Sequence, residues 1–283
     1  MMIDCYRSLQ GSESSPFISR LSEMQLCVQA LPSGRECGVN FCSCADNVSP
    51  HIAETHCESS LHVHNPPKGL SLQSVIDSRT KYRDGNLLAL HIKVRATSCR
   101  AMSDVTVTKA GDGSVEIRFD GTDKYYLYSR DQGDVNPDMF AGDRVVTRQQ
   151  IERSWSIEKD KLGSAAPAIE VMLIDIVDEE DNMSNWAYLT TDAMRFIVDE
   201  GVWVVVVNTP SVDREVDGGC VSNHKVVFER PAGLVVELAQ LSHLQGPGYG
   251  LVSLRAAPHS DYLDCGPCHL GFEFLPSMLT DLG

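Results

Sequence analysis

Thr190-Thr191-Asp192-Ala193-Met194-Arg195-Phe196-Ile197-Val198-Asp199-Glu200-Gly201-Val202-Trp203-Val204-Val205-Val206-Val207 is the stretch that decides the fold. Its first half carries apolar residues at helical spacing behind a threonine cap, which predicts a helix over Thr190 to Glu200. Gly201 ends it. Val202 to Val207 is an unbroken apolar run, as expected for a strand buried on both faces. Upstream, Ala168 to Val177 reads as another buried strand, so strand, helix and strand follow one another with short links. That order predicts a parallel βαβ unit.

Working outward, Thr147 to Leu162 predicts a helix with a threonine cap and Gly163 as its stop. Leu234 to Leu238 predicts a further strand, as do Leu87 to Val94, Met24 to Leu31 and Val39 to Ala45. Ser114 to Phe119 and Lys124 to Tyr128, separated by a turn signal at Asp120-Gly121, predict a hairpin. It lies in a loop-rich stretch, residues 97–140, that reads as a separate arm. Residues 1–19 read as a flexible segment. The expectation is one α/β domain over residues 20–283, with a mixed sheet and flanking helices.

The chain has 283 residues, 42% hydrophobic and 22% charged, enough to bury a sizeable core. Its net charge of −15 excludes nucleic acid and anionic membranes as expected partners, since both would repel it. Part of that charge is Asp178-Glu179-Glu180-Asp181, read as a solvated loop. No secretory leader and no membrane span are legible, so the expected location is the cytoplasm. The ten cysteines then read as reduced thiols. Asn47-Val48-Ser49 and Asn182-Met183-Ser184 need export to be glycosylated and are discounted.

Chemistry concentrates in Ser49-Pro50-His51-Ile52-Ala53-Glu54-Thr55-His56-Cys57-Glu58-Ser59-Ser60-Leu61-His62. Imidazole nitrogen with carboxylate oxygen is a ligand set that suits zinc or manganese. If the run after Thr55 is extended, period-two geometry puts His56, Glu58 and His62 on one face. Partners from elsewhere are needed. Val202 to Val207 feeds Asn208-Thr209-Pro210-Ser211-Val212-Asp213, then Asp217-Gly218-Gly219 and Asn223-His224. Glu237, set among apolar neighbours in its strand, must be paired, bind a metal, or face solvent on an edge.

These segments together resemble the cyclase family of metal-dependent hydrolases, which includes bacterial kynurenine formamidase and isatin hydrolase. Thr55-His56-x-Glu58-x3-His62 matches the second half of its signature, and His51 stands five residues before His56. Cys37-Gly38-Val39-Asn40-Phe41-Cys42 is similar too, as are Thr209 to Asp213, Asp217-Gly218-Gly219, His224 and Val236-Glu237-Leu238. The resemblance runs from about residue 20 to about residue 270, loosely over residues 97–165.

It implies a swivelling β/β/α fold and a site of one or two Zn2+ or Mn2+ ions. His51, His56, Glu58, His224 and Glu237 would be the metal ligands, with Glu58 bridging. His62 would be the catalytic acid and base. The implied activity is hydrolysis of a carbon–nitrogen bond in a small-molecule substrate, a formamide of the N-formylkynurenine type or a cyclic amide, as in tryptophan catabolism. A homodimer or higher homo-oligomer is implied as well.

Two departures stand against the pattern. The family's glycine before Thr-His is Glu54, and its C-terminal Pro-x-Arg is replaced by Asp264-Cys265-Gly266-Pro267-Cys268-His269. They motivate an alternative: a non-catalytic, metal-binding relative serving as a binding or scaffold protein. Cys265-x-x-Cys268 lacks the following helix that redox use requires, so its thiols read as structural or weakly metal-binding. Cys42, Cys44 and Cys57 read as small core residues, His64 as exposed, and Trp186 and Trp203 as core aromatics.

Overall fold

The computed structural model describes residues 3–5, 55–64, 70–72, 74–75, 86–98, 105–109, 115–119, 124–127, 143–162, 168–178, 186–215, 221–256 and 265–275. The expected strands at Met24 to Leu31 and Val39 to Ala45, residues 6–19, and His51, Glu54, Cys42, Cys44 and Asp217 lie outside them. Residues 3–5 of the segment read as flexible are instead docked: the Cys5 amide donates to the Leu270 carbonyl at 2.8 Å, and its side chain is buried.

In chain order the strands begin with β1 (Ile3–Asp4), β2 (His56–Ser59), β3 (Asn86–Arg95) and β4 (Thr97–Ser98). The arm contributes β5 (Val105–Lys109), β6 (Val115–Phe119) and β7 (Lys124–Leu127). There follow β8 (Arg144–Val146), α1 (Arg148–Leu162), β9 (Val171–Val177), β10 (Tyr188–Leu189), α2 (Thr191–Asp199) and β11 (Val204–Val207). The chain continues with α3 (Ser222–Phe228), β12 (Leu234–Glu237), β13 (Gly248–Ala256) and β14 (Cys265–Phe274).

Seven strands close on themselves in the order β14-β13-β3-β9-β11-β12-β2, with β2 returning to β14. The β3–β9, β9–β11 and β11–β12 pairs are parallel, and the β2–β12, β2–β14, β3–β13 and β13–β14 pairs are antiparallel. The sheet is therefore mixed, and β9-α2-β11 is the parallel unit legible in the sequence. β1 extends the edge of β14 that β2 also occupies. The short strands order as β10-β8-β4, and the arm forms its own antiparallel sheet, β5-β6-β7. The β6–β7 pairing is the expected hairpin.

Alternation explains why the apolar runs are continuous. Val204 and Val206 join Val171, Leu173, Val236, Val252 and Phe272 in the cluster that fills the closed sheet. Val205 and Val207 join Met172, Ile174 and Val235 on the other face, packed with Ile151 of α1, Met194 and Ile197 of α2 and Val227 of α3. Every residue of β11 is thus buried. Each such side chain contributes ~1.5–3 kcal/mol by leaving water. α2 begins as predicted, with Thr190 Oγ1 accepting from the Ala193 amide at 3.3 Å. α1 crosses it through Trp155, whose ring meets Phe196 edge-on at 6.2 Å.

The acidic run departs from its reading as solvated at one end. The Asp178 carboxylate is buried and lies 2.9 Å from Arg144 Nη1, because that guanidinium is itself buried and needs a counter-charge. Residues 179–181 lie outside the described set. Among the described residues, no helix is long and apolar enough to cross a membrane.

Candidate metal centre

β2 is the strand that closes the sheet, and it carries the first two site residues. Its register against β12 sets His56 opposite Glu237 and Glu58 opposite Val235. Cross-strand partners share a face, so His56, Glu58 and Glu237 lie on the side of Val235, where the helices pack. α3 packs on β12 and brings His224 in from above. His56, Glu58, His224 and Glu237 are all buried, at 2% exposure or less.

The fifth residue arrives differently from the expected extended run. β2 ends at Ser59, and Ser60–His62 forms a 3-10 turn. Ser60 explains the break: its hydroxyl donates to the Pro231 carbonyl at 3.0 Å and accepts from the Leu70 amide at 2.8 Å, while its carbonyl accepts from His64 N. The turn still returns His62 to the site. Its ring lies 5.3 Å from that of His224, and its Nε2 is 3.9 Å from Glu58 Oε2.

The donor atoms fall into two groups, each within 4.8 Å of mutual separation: His56, Glu58 and Glu237, and Glu58, His62 and His224. Glu58 belongs to both. His56 Nε2 lies 3.4 Å from Glu58 Oε1 and 3.3 Å from Glu237 Oε2, and His224 Nε2 lies 2.6 Å from Glu58 Oε2. Two buried carboxylates facing buried imidazoles, all as heteroatom donors with apolar neighbours behind them, fit a divalent cation of the zinc or manganese type.

Backbone strain marks the same place. Leu238, next to Glu237, has φ +56°, and Val221, at the start of α3, has φ +41°. Neither residue adopts the left-handed region cheaply; such a position costs ~1–3 kcal/mol and persists where its surroundings over-determine it. Leu238 is fixed on both sides of its Cα: its amide donates to Thr209 O at 3.0 Å, and its carbonyl accepts from Thr55 Oγ1 at 2.8 Å. The turn aims Glu237 at His56.

Burial alone would keep the two imidazoles neutral, but the carboxylates win. The hydrogen bonds and charges of Glu237 and Glu58 push His56 up to about 10. Glu58 and Asp213 likewise hold His224 well above its ordinary value. In the metal-free protein the facing carboxylates therefore favour the protonated form of both rings. A raised folded-state value means stability present in full below the unfolded value of 6.5 and lost as pH rises towards about 10. Denaturant midpoints of metal-free protein should accordingly fall between about pH 6.5 and about pH 10. Saturation with Zn2+ should abolish that fall, because the cation takes the place of the protons. Midpoints that stay flat without metal would show the rings to be neutral.

Trp186 and Trp203 are buried, and Trp186 Nε1 donates to the Asp213 carbonyl at 2.8 Å. His64 is half-buried rather than exposed, because the Ser60 turn folds it back. Cys265 and Cys268 lie in β14, a strand rather than a helix start, and both are buried. Cys57 points away from its neighbours His56 and Glu58 into the closed sheet, beside Cys268. Burial, then hydrogen bonding to Cys268, raises its thiol well above the ordinary value, so it is an inert core group. Asp213 is the residue whose part the sequence did not disclose. It contacts His224 across ten intervening positions on a loop, where no periodicity links them.

No family model and no curated protein matches this chain. Solved structures do. Isatin hydrolase A from Labrenzia aggregata, bound to benzyl benzoate, superposes with a TM-score of 0.50 at 10% identity, covering 97% of this chain and 94% of that one. A potential metal-dependent hydrolase with cyclase activity gives a TM-score of 0.45 at 13% identity, with 78% and 79% covered. An isatin hydrolase bound to the product analogue thioisatinate gives 0.45 at 11% identity, with 81% and 74% covered. The first likeness spans nearly the whole of both chains and establishes the cyclase-like fold, a mixed closed sheet with flanking helices.

Proposed function

We propose that this protein is a metal-dependent hydrolase that cleaves the carbon–nitrogen bond of a small amide, formamide or cyclic amide. The observation that carries it is the convergence of His56, Glu58, His62, His224 and Glu237, from a strand, a turn, a helix and a second strand, on one buried point. The cyclase-like fold supports it.

In this reading His56, Glu58, His224 and Glu237 would hold one or two Zn2+ or Mn2+ ions, with Glu58 the residue common to both donor groups and His51 a further ligand from outside the described residues. A divalent ion bound there supplies Lewis-acid polarisation of a carbonyl and lowers the pKa of water to about 7. The carboxylates of Glu58 and Glu237 supply the negative charge that selects a cation. The apolar cluster behind Val235 excludes bulk water and strengthens each of these interactions. His62 stands beside the shared carboxylate, so its imidazole can take a proton from water and return it to the leaving nitrogen.

Protein saturated with Zn2+ or Mn2+ should hydrolyse at least one of a panel of N-formyl arylamines, isatin-type cyclic amides and lactones. Chelation should abolish turnover, and either ion should restore it. A second reading, a metal-binding protein without turnover, is favoured by β14: the segment where the family carries arginine is here the strand Cys265–Phe274, with thiols in its place. Stoichiometric metal with no hydrolysis across the panel would establish that reading instead.

A further inference from the structure

We propose that the loop Ser211-Val212-Asp213 is the positioning element of the centre, with Asp213 fixing the imidazole of His224 so that Nε2 faces the cation. The inference rests on the metal-centre reading above. Asp213 Oδ2 lies 2.6 Å from His224 Nδ1, and both groups are buried. A carboxylate facing Nδ1 accepts its proton, so Nδ1–H donates and, with a cation bound, the lone pair that meets it is the one on Nε2. That nitrogen is the one beside Glu58 and Glu237. A carboxylate behind a ligating imidazole sets its tautomer and direction.

The same loop sets the facing ligand. The amide of Val212 donates to Glu237 Oε1 at 2.8 Å, so adjacent residues of one loop hold groups from α3 and β12. The loop itself is pinned on several sides. Val212 O accepts from Leu189 N at 3.2 Å and from Asn223 Nδ2 at 2.7 Å, and Asp213 O accepts from Trp186 Nε1 at 2.8 Å. Asp213 also accepts from the amides of Asn223 (2.7 Å) and His224 (3.3 Å), which ties the loop to the first turn of α3. A shift of this loop would move His224 and Glu237 together.

Asp213→Asn separates orientation from structure. The amide oxygen can still accept from Asn223 N, but its NH2 cannot accept from Nδ1–H, so His224 must change tautomer or turn. Trp186→Phe is the structural control: it removes one anchor of the loop and leaves the carboxylate intact. Both full-length variants and the parent would be titrated with Co2+, read by calorimetry and by the visible d–d absorption, alongside thermal unfolding of the metal-free forms. We expect Asp213→Asn to weaken Co2+ ~10–100-fold and to alter the absorption, whereas Trp186→Phe keeps affinity within about threefold of the parent. Equal affinity in Asp213→Asn and the parent would overturn the inference, and equal weakening in Trp186→Phe would overturn the part given to the Asp213 carboxylate; either leaves the metal centre standing. A parent that takes up no Co2+ would overturn the metal reading and this inference together. Should Asp213→Asn fail to fold, ring-15N histidine spectra of the Zn2+-loaded parent, assigned with His224→Ala, provide the test. The His224 Nδ1 proton should be present and protected from exchange, and its absence would overturn the proposal.

Discussion

Glu58→Gln should lose metal binding outright. The substitution keeps the side chain's shape, and the buried position at 1% exposure leaves little room for a substitute ligand. Glu58 is the one residue common to both donor groups, with one oxygen towards His56 and the other towards His224 and His62. Loss of a partner that merely orients a ligand costs ~10–100-fold in affinity, so loss of the shared ligand should exceed ~100-fold. Thermal unfolding makes the expectation quantitative. Zn2+ at ~100 times the parent's dissociation constant stabilises the folded state by ~2.7 kcal/mol, and a constant raised ~100-fold leaves only ~0.4 kcal/mol. The metal-dependent rise in midpoint should therefore nearly vanish in Glu58→Gln. The metal-free variant should still fold, because His56 and His224 can become neutral once their shared counter-charge is gone. A variant that keeps the parent's metal stoichiometry would show that Glu58 is not the bridge.

The legible part of this fold is the part made by local sequence. Val204 to Val207 could be read because no polar residue interrupts it, and a strand walled on both sides needs none. Thr190 announced α2 because a cap and the amide that donates to it are neighbours in the chain. The closure of the sheet was not legible. β2 is four residues long and mixed in polarity, His-Cys-Glu-Ser, and both of its partners lie far along the chain. β14 contains Gly266 and Pro267, which signal a turn in isolation. Pairing with β2 and β13 overrides that local preference.

The site divides along the same line. Residue types and spacing singled out His56, Glu58 and His62, and the resemblance supplied His224 and Glu237; the structure gathers these five. The turn at Ser60 was missed because an extended run and a short 3-10 turn bring His62 to the same side, and only the tertiary contacts to Pro231 and Leu70 choose between them. Asp213 had no signal beyond its place in a recognisable block. Its contact with His224 depends on how the loop after β11 meets α3, and period and propensity do not encode that.

His62→Ala should lower turnover ~10²–10⁴-fold and leave metal content at the parent's level, the size of effect that a positioned acid–base group provides. His56→Ala should lose metal and activity together. The contrast follows from where each imidazole stands. His56 is fully buried between Glu58 and Glu237, with both carboxylates within 3.4 Å of its Nε2. His62 comes from a turn rather than the strand, and its Nε2 stays 3.9 Å from the nearest Glu58 oxygen. That gap is too wide for a hydrogen bond, so the imidazole is not committed to Glu58. The second donor group nevertheless includes His62 with Glu58 and His224, so ligand and proton carrier are rival roles for one side chain, and metal analysis separates them. Metal lost from His62→Ala as from His56→Ala would make His62 a ligand and require another group to move the proton. Metal retained with turnover at the parent rate would leave His62 with neither role. Metal retained with turnover reduced, and with one limb of the pH–rate profile removed, is the result that a proton carrier at this position requires.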